Sequence, residues 1–232
     1  MTDRTRTISL AAMAGRAGGG LRIAVVDSGI HAGHPHVGPV DRAIAFDDRG
    51  VAQSDVVDRV GHGTAVAAAI HEKAPEAAII AVKIFDRGMV TTCAALAAAI
   101  RWATDAGADL INLSLGTANA DHRDVLESVV ADAVARGALV VAASPADGQI
   151  LLPGALPSVI GVDVDWTCPR DECVVTRCDD GHIRVRASGY PRPIPGVSPE
   201  KNLKGQSFAV ANATGLLALE IEVARARDRS RG

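Results

Sequence analysis

The chain has 232 residues, 48% hydrophobic and 22% charged, and its 24 Lys and Arg against 27 Asp and Glu give a formal net charge of −3. A mildly acidic chain without a clustered basic face excludes a nucleic-acid footprint, and the low charged fraction excludes wholesale disorder. The length predicts one hydrophobic core, and the absence of a long uninterrupted apolar run argues against a membrane span.

Residues 1–20 combine two early arginines, a short apolar patch at 8–13 and a Gly/Arg stretch. This pattern predicts a mobile N-terminal arm rather than a signal peptide. Because four cysteines are too few for a disulfide scaffold of this size, we expect a reducing cytoplasmic location.

Beyond the arm, apolar runs rich in Val and Ile alternate with Ala-rich segments of helical length. The runs predict buried strands at 21–26, 78–85, 109–115, 138–143 and 158–162. The segments between them predict helices at 62–73, 91–106 and 121–136, with Thr91 or Thr92 capping the second and Asp121 the third. A final helix is expected at 207–223.

This alternation predicts an α/β fold with a mostly parallel central sheet and helices on both faces. We expect a single domain over 21–224, with hairpins and loops at 166–199, followed by a charged, frayed tail at 225–232. In such sheets the functional residues lie at the carboxyl ends of the strands.

Three short motifs carry candidate chemistry. Asp27 ends the first buried strand, His62 opens a helix within Gly-His-Gly-Thr, and Ser207 begins the last helix. Each has an ordinary structural interpretation taken alone: a turn, a packing or capping histidine, and an N-cap. A single hypothesis explains all three, because a serine nucleophile needs a base to take its proton and an acid to orient that base.

Several longer segments resemble the subtilisin-like serine peptidases, or subtilases. The resemblance rests on RIAVVDSGIHAGHPHV, GHGTAVAAAI, AIIAVKIF, ADLINLSLG, GALVVAA, LPGALPSVIGV and GQSFAVANATG, which occur in this order between about residues 21 and 219. The order Asp, His, Ser is also that of the family. The resemblance implies a subtilisin-like three-layer sandwich.

By position, the resemblance implies that Asp27 orients the imidazole, His62 is the general base and then acid, and Ser207 is the nucleophile. It further implies that Ser114, Leu115 and Gly116 form the edge along which an extended peptide substrate adds as a strand. No cofactor or metal is expected in this chemistry.

The segment after the 138–143 strand departs from the family pattern. The family has a Gly-Asn pair whose Asn side chain donates to the oxyanion, whereas an ungapped match places Ala146 at the Asn position. Asp147 fills the position only with a gap and helps only if protonated, and Ser144 is the neutral side-chain donor that remains nearby. Gln206 replaces a small residue beside Ser207, and Val210, Ala211 and Asn212 replace the usual Ser-Pro-His.

The cysteines leave three alternatives open. Cys168, Cys173, Cys178 and His182 have the spacing C-x4-C-x4-C-x3-H, which permits a zinc site but lacks the tight C-x2-C knuckle. Cys168 and Cys173 also flank a short turn, where they could form a disulfide across a hairpin. Free thiols are the third alternative, and Cys93 is expected in the core.

Two functional hypotheses follow. The first is a serine endopeptidase that cleaves a specific peptide, such as the leader of a modified-peptide precursor, and a partner chain that completes the oxyanion site is left open. The second is a catalytically impaired relative that binds peptides or a partner. An unrelated nucleotide-binding protein has little support, because no Gly-rich phosphate loop follows the first strand.

Overall fold

A computed structural model describes residues 4–144 and 149–230, which build a central sheet between two layers of helices. The sheet strands in this part of the chain are β1 Arg4–Ser9, β2 Arg22–Asp27, β3 Val40–Phe46, β4 Ala52–Gln53, β5 Ala78–Lys83, β6 Leu110–Leu113, β7 Leu139–Ala143, β8 Ile160–Val164, β9 Glu172–Arg177 and β10 Ile183–Ala187. The helices are α1 His62–His71, α2 Cys93–Asp105, α3 Arg123–Ala135 and α4 Gln206–Arg229. The strand order is β1-β9-β10-β8-β7-β6-β2-β5-β3-β4.

The middle of the sheet is parallel, as the sequence predicts, and β2 lies between β5 and β6. Its alternate residues enter two different cores. Ile23 and Val25 pack with α1 and α4 on one face, whereas Ala24 and Val26 pack with α2 and α3 on the other. Burial on both faces explains the continuous apolar run, and it confirms the predicted α/β arrangement with helices on both sides.

The helix starts agree with the sequence at α2 but not at α3. The Thr92 hydroxyl accepts a hydrogen bond from Ala95 N–H at 3.1 Å, which confirms one of the two predicted caps of α2. The Asp121 cap predicted for the third helix is wrong. A short 3-10 turn occupies 120–122, Asn119 caps that turn, and α3 begins only at Arg123.

The prediction of a mobile arm over 1–20 is wrong for the described residues of that segment. β1 pairs antiparallel with β9 over six residues, and Ile8 is buried in the α1/α4 core. The backbone N–H groups of Ala17 and Gly18 both donate to the Glu222 carboxylate, at 3.0 and 2.8 Å. The arm is ordered because β1 pairs with β9 at the edge of the sheet. Local composition does not indicate a strand partner so far away in the sequence.

The predicted frayed tail is also corrected, because α4 continues to Arg229. Near the predicted boundary, Arg225 forms an ion pair with Asp109 at the start of the β6 segment. By length and composition α4 is apolar enough to cross a membrane, but 67% of its most apolar window is buried inside the fold. That burial is what a central core helix requires.

The segment 166–199 contains the antiparallel β9–β10 pair, in agreement with the predicted hairpins. β10 also pairs in parallel with β8, so the hairpin extends the central sheet rather than standing apart from it. Its other edge receives β1. The fold therefore presents the carboxyl ends of β2, β6 and β7 at one edge of the sheet, close to the start of α4.

Candidate active site

Asp27 is the last residue of β2, and its side chain is 1% exposed. Its Oδ1 atom accepts hydrogen bonds from Ser28 N–H and from His62 Nδ1–H, both at 2.8 Å. Its Oδ2 atom is buried and has no hydrogen-bond partner in the described part of the chain. The only side chain that hydrogen-bonds the Asp27 carboxylate among the described residues is therefore the imidazole of His62, which it orients.

His62 is the first residue of α1, and its ring lies between Asp27 and Phe208 of α4, with 5.8 Å between the His62 and Phe208 ring centroids. Burial is the strongest single influence on its pKa and disfavours the charged ring. The hydrogen bond and the charge of Asp27, with a smaller effect of Asp58, outweigh burial, so the pKa of His62 is raised above 6.5. The site thus favours the imidazolium that forms when a histidine accepts a proton from a nucleophile.

A raised pKa predicts where reactivity is lost on acidification. Because only the neutral imidazole can act as base, we expect the rate of Ser207 modification to fall below a midpoint above pH 6.5. The raised pKa also means that protonated His62 stabilises the folded state. This contribution to the free energy of unfolding is fully present below pH 6.5, the pKa in the unfolded chain, and is lost as the pH rises through the pKa in the folded chain. NMR titration of the His62 ring and the pH profile of labelling measure both, and a midpoint at or below pH 6.5 would contradict the assignment.

Gly63 allows α1 to approach the end of β2. A Cβ atom at this position would lie 2.2 Å from the Gly29 carbonyl oxygen and 3.1 Å from the Asp27 Cβ atom. The Gly63 N–H donates to the Ser28 hydroxyl at 2.9 Å. The bare backbone is therefore what brings His62 within hydrogen-bond distance of Asp27.

Asp58 was not identified by the sequence reasoning, yet it holds the start of α1. Its Oδ1 accepts from the Ser28 hydroxyl and from Gly61 N–H at 2.9 and 2.8 Å, and its Oδ2 accepts from Thr64 N–H at 3.0 Å. Burial acts to raise the pKa of Asp58, but the hydrogen bond from the Thr64 hydroxyl, together with those from Gly61 N–H, Thr64 N–H and the Ser28 hydroxyl, lowers it. An acidic residue four positions before the histidine was the available signal, because acidic groups cap helix N-termini.

We expect Asp58→Ala to lower the free energy of unfolding by about 2 kcal/mol, because the buried residues Ser28 and Thr64 lose the acceptor of their hydrogen bonds. Urea denaturation measures this change. Asp55→Ala is the matched control, since its carboxylate is 52% exposed and pairs with Arg59 at the surface. Equal stabilities of the two variants would contradict the capping role.

Ser207 is the second residue of α4, directly before the Phe208 that contacts His62. Its hydroxyl donates to the Ser114 carbonyl oxygen at 3.2 Å, and the Ser114 hydroxyl donates to the Ser207 carbonyl oxygen at 3.2 Å. The structure thus brings Asp27 and His62 into direct contact, and the ring of Phe208, the residue after Ser207, lies against His62. The Ser207 hydroxyl hydrogen is engaged by Ser114. Free N–H groups at the start of α4 lie next to this hydroxyl.

Buried polar groups behind Ser207 connect α4 to β6. Asn112, which is fully buried, donates to the Ser114 hydroxyl at 3.0 Å and accepts from the Thr214 hydroxyl at 3.0 Å. Sequence reasoning missed both residues, because a polar side chain in a buried strand or helix gives no indication of its partner. The chain from Thr214 through Asn112 to Ser114 fixes the backbone of Ser207 against the end of β6.

Gln206 directs its side chain to the edge of β8. Its side-chain oxygen accepts from Val164 N–H at 3.2 Å, and its amide donates to the Val162 carbonyl oxygen. The larger residue beside Ser207 therefore serves to attach the start of α4 to the sheet.

The predicted oxyanion segment is described only in part. Ser144 is buried, and its hydroxyl accepts a hydrogen bond from the Arg184 guanidinium of β10. Ala146 and Asp147 lie outside the described residues, so the absence of a side-chain donor at position 146 stays a prediction from the sequence.

The predicted substrate edge continues β6. Ser114 is buried, Leu115 is partly buried and Gly116 is exposed, so the backbone emerges at the surface beside Ser207. A cavity of ≈ 220 Å³ adjoins this edge. Apolar side chains dominate its lining, with Phe85, Met89, Val90, Leu96, Leu115 and Leu126 among them.

Cys93, Cys168 and Cys173 are free thiols in the structure. Cys168 is a thiol that donates to the Glu172 carbonyl oxygen at 3.4 Å, and Cys173 is a buried thiol whose pKa is raised by burial to about 12. Residues 4–144 and 149–230 contain no group of three His, Cys, Asp or Glu side chains placed to hold a metal ion. Cys93 is only partly buried and packs against the α2/α3 core.

A histidine and aspartate pair beside a serine at a helix start, on an α/β sheet, defines a serine hydrolase arrangement. The model of the subtilase family, peptidase S8, matches residues 18–164, and the chain belongs to that family of serine peptidases. The chain is 37% identical to the minor extracellular protease Epr of Bacillus subtilis over 162 residues, which cover 64% of this chain and 24% of that protein. It is 29% identical to subtilisin Savinase of Lederbergia lenta over 217 residues, covering 87% of this chain and 73% of the relative.

The fold is that of solved subtilisin-like structures. The nisin leader peptidase NisP from Lactococcus lactis superposes with a TM-score of 0.65 at 20% identity, covering 90% of this chain and 79% of that one. Together with the family match, this superposition confirms the predicted subtilisin-like α/β fold.

Proposed function

We propose that this chain is a serine endopeptidase with Asp27, His62 and Ser207 as its catalytic residues. The observation that carries the proposal is the 2.8 Å hydrogen bond between the buried Asp27 carboxylate and His62 Nδ1, next to Ser207 at the start of α4. Three residues spread over the sequence share no structural reason to meet, whereas this chemistry requires it.

In the proposed reaction, the Ser207 oxygen attacks the substrate's carbonyl carbon while His62 accepts the hydroxyl proton. The carbon–nitrogen bond of the tetrahedral intermediate then breaks, and His62 returns the proton to the leaving amine. Water attacks the resulting ester by the same route and releases the carboxylic acid and Ser207. Asp27 stays ionised and stabilises the imidazolium throughout.

The substrate of this proposal is a peptide that pairs with Ser114, Leu115 and Gly116 as an added strand. Support comes from the exposed backbone of Gly116, the contact of Ser114 with Ser207 and the adjoining apolar cavity. As the specific substrate we propose the leader of a modified-peptide precursor, cleaved in the cytoplasm, with a partner chain as a candidate source of an oxyanion donor. NisP is described as a leader peptidase, and its likeness to this chain extends to the fold.

Digestion of a synthetic peptide mixture tests the activity. We expect the wild type to create new peptide termini, detected by mass spectrometry, and Ser207→Ala to create none while keeping its fold. Ser198→Ala is the matched control, because Ser198 is exposed and its side chain makes no capping hydrogen bond to the short 3-10 helix at Pro199–Lys201. Equal cleavage by wild type and Ser207→Ala would refute the assignment of the nucleophile.

A second candidate function is peptide binding without turnover. The hydrogen bond from the Ser207 hydroxyl to Ser114, together with alanine at position 146, favours it, because a working nucleophile must donate its proton to His62. Saturable binding of peptides by calorimetry, with neither cleavage nor covalent labelling of Ser207 in the wild type, would select this function over the first.

A further inference from the structure

Leu151 occupies the space beside the Gly116 α-carbon. A Cβ atom built on Gly116 would lie 2.4 Å from Leu151 Cγ and 2.7 and 3.0 Å from its two methyl carbons. The bare face of this glycine, one side of the proposed substrate edge, is therefore covered by a side chain of the protein itself.

The backbone from Leu151 to Gly154 is held by hydrogen bonds and close packing. Leu152 forms an antiparallel bridge with Thr117, and both N–H···O hydrogen bonds measure 2.8 Å. The Leu151 carbonyl oxygen accepts from Ala155 N–H at 2.9 Å. Gly154 packs so closely on the end of β7 that a Cβ there would lie 1.9 Å from the Ala143 carbonyl oxygen. The backbone of Leu151 therefore cannot move away from Gly116 without breaking these contacts.

The two sides of the substrate edge differ in the room they offer. Leu115 packs against the α2/α3 core and lines the ≈ 220 Å³ apolar cavity. Leu151 packs against the α1/α4 core, the layer that contains Ser207. Because side chains of a bound strand alternate between its faces, one set of substrate side chains meets the cavity and the other meets Leu151.

We propose that Leu151 determines specificity by restricting the substrate residue whose carbonyl is attacked to Gly, Ala or Ser. The inference rests on the proposed peptidase function. The attacked residue must lie beside Ser114, since the Ser207 hydroxyl is 3.2 Å from the Ser114 carbonyl oxygen. A large side chain there meets Leu151 over Gly116. A substrate side chain that points the other way enters the apolar cavity, so the favoured sequence combines a small residue at the cleaved bond with an apolar residue further along.

Peptidyl diphenyl phosphonates that differ only in the side chain at phosphorus test this proposal. Ser207 attacks phosphorus, the proton passes to His62, and phenoxide leaves, so labelling reports acceptance of that side chain. We expect the wild type to react at least about 100-fold faster with the alanine analogue than with the phenylalanine analogue. Leu151→Ala and Leu151→Gly should raise the phenylalanine rate at least about 10-fold, whereas Ile150→Ala, at a neighbouring side chain that is 59% exposed, should not change the ratio.

The outcomes separate this inference from the proposed function. A small fluorophosphonate without a peptide side chain reports the nucleophile alone. If it labels Ser207 while the wild type reacts equally with both phosphonates, or if the ratio survives in a folded Leu151→Ala, the specificity role is overturned and the peptidase proposal stands. If the small probe fails to label Ser207, both are overturned. If a Leu151 variant does not fold, the ratio of the wild-type labelling rates with the alanine and phenylalanine phosphonates still tests the specificity role.

Discussion

Replacing Asp27 by Asn is expected to lower kcat for a cleaved peptide by about 10⁴-fold with little change in KM, as for the corresponding change in a serine protease triad. The Asp27 carboxylate is buried, and its Oδ1 accepts from both Ser28 N–H and His62 Nδ1–H. An amide keeps the shape but removes the charge that stabilises the imidazolium. With its nitrogen in place of Oδ1, two donors face each other. With its nitrogen in place of Oδ2, a buried donor gains no partner, because Oδ2 has none among the described residues.

The same variant is expected to lower the pKa of His62, because burial disfavours the charged ring and the opposing carboxylate is gone. Parallel kinetics and NMR titration of the ring therefore distinguish a lost electrostatic role from general damage. Asp41→Asn provides the control, since this carboxylate is 44% exposed and lies outside the site. An Asp27→Asn enzyme with wild-type kcat would remove Asp27 from the mechanism.

Replacing Gly63 by Ala is expected to lower the free energy of unfolding by about 3 kcal/mol, at the upper end for overpacking. The added methyl group would lie 2.2 Å from the Gly29 carbonyl oxygen, which belongs to the backbone and cannot rotate away. Relief requires α1 to move away from β2, and that movement carries His62 away from Asp27. We therefore also expect at least a 100-fold loss in the rate of Ser207 labelling, because a misplacement of about 1 Å costs that much.

Gly88→Ala is the matched control for this substitution. A Cβ on Gly88 would meet no atom of the described residues within 4 Å, so we expect a change below about 0.5 kcal/mol. Chemical denaturation measures both variants, and labelling kinetics follow the site. A Gly63→Ala protein as stable and as reactive as Gly88→Ala would show that the close approach of α1 to β2 is not required.

The central strands could be predicted from sequence because burial on both faces imposes a continuous apolar run, as in β2. β1 could not, because its residues are mostly exposed and its stability comes from pairing with β9, far away in the chain. β3 was missed for a similar reason: its sequence VDRAIAF lacks a clear period, and it is placed by parallel pairing with β5. Local patterns report burial, whereas edge strands depend on distant partners.

For the candidate site, motifs at strand and helix ends identified Asp27, His62 and Ser207 because chemistry restricts the residue types there. The supporting groups were missed. Asp58 holds the start of α1, Asn112 joins Ser114 to Thr214, and Leu151 covers Gly116. Each of these acts through a partner that only the folded chain brings near, so no spacing in the sequence indicates its role.

The most direct test of Ser207 as an activated nucleophile is reaction of the purified chain with a fluorophosphonate, followed by intact-mass analysis and peptide mapping. We expect one adduct per chain, located on Ser207, formed by the wild type and lost in both Ser207→Ala and His62→Ala. A folded wild-type protein that gains no adduct, or an adduct that maps to another residue, would contradict it.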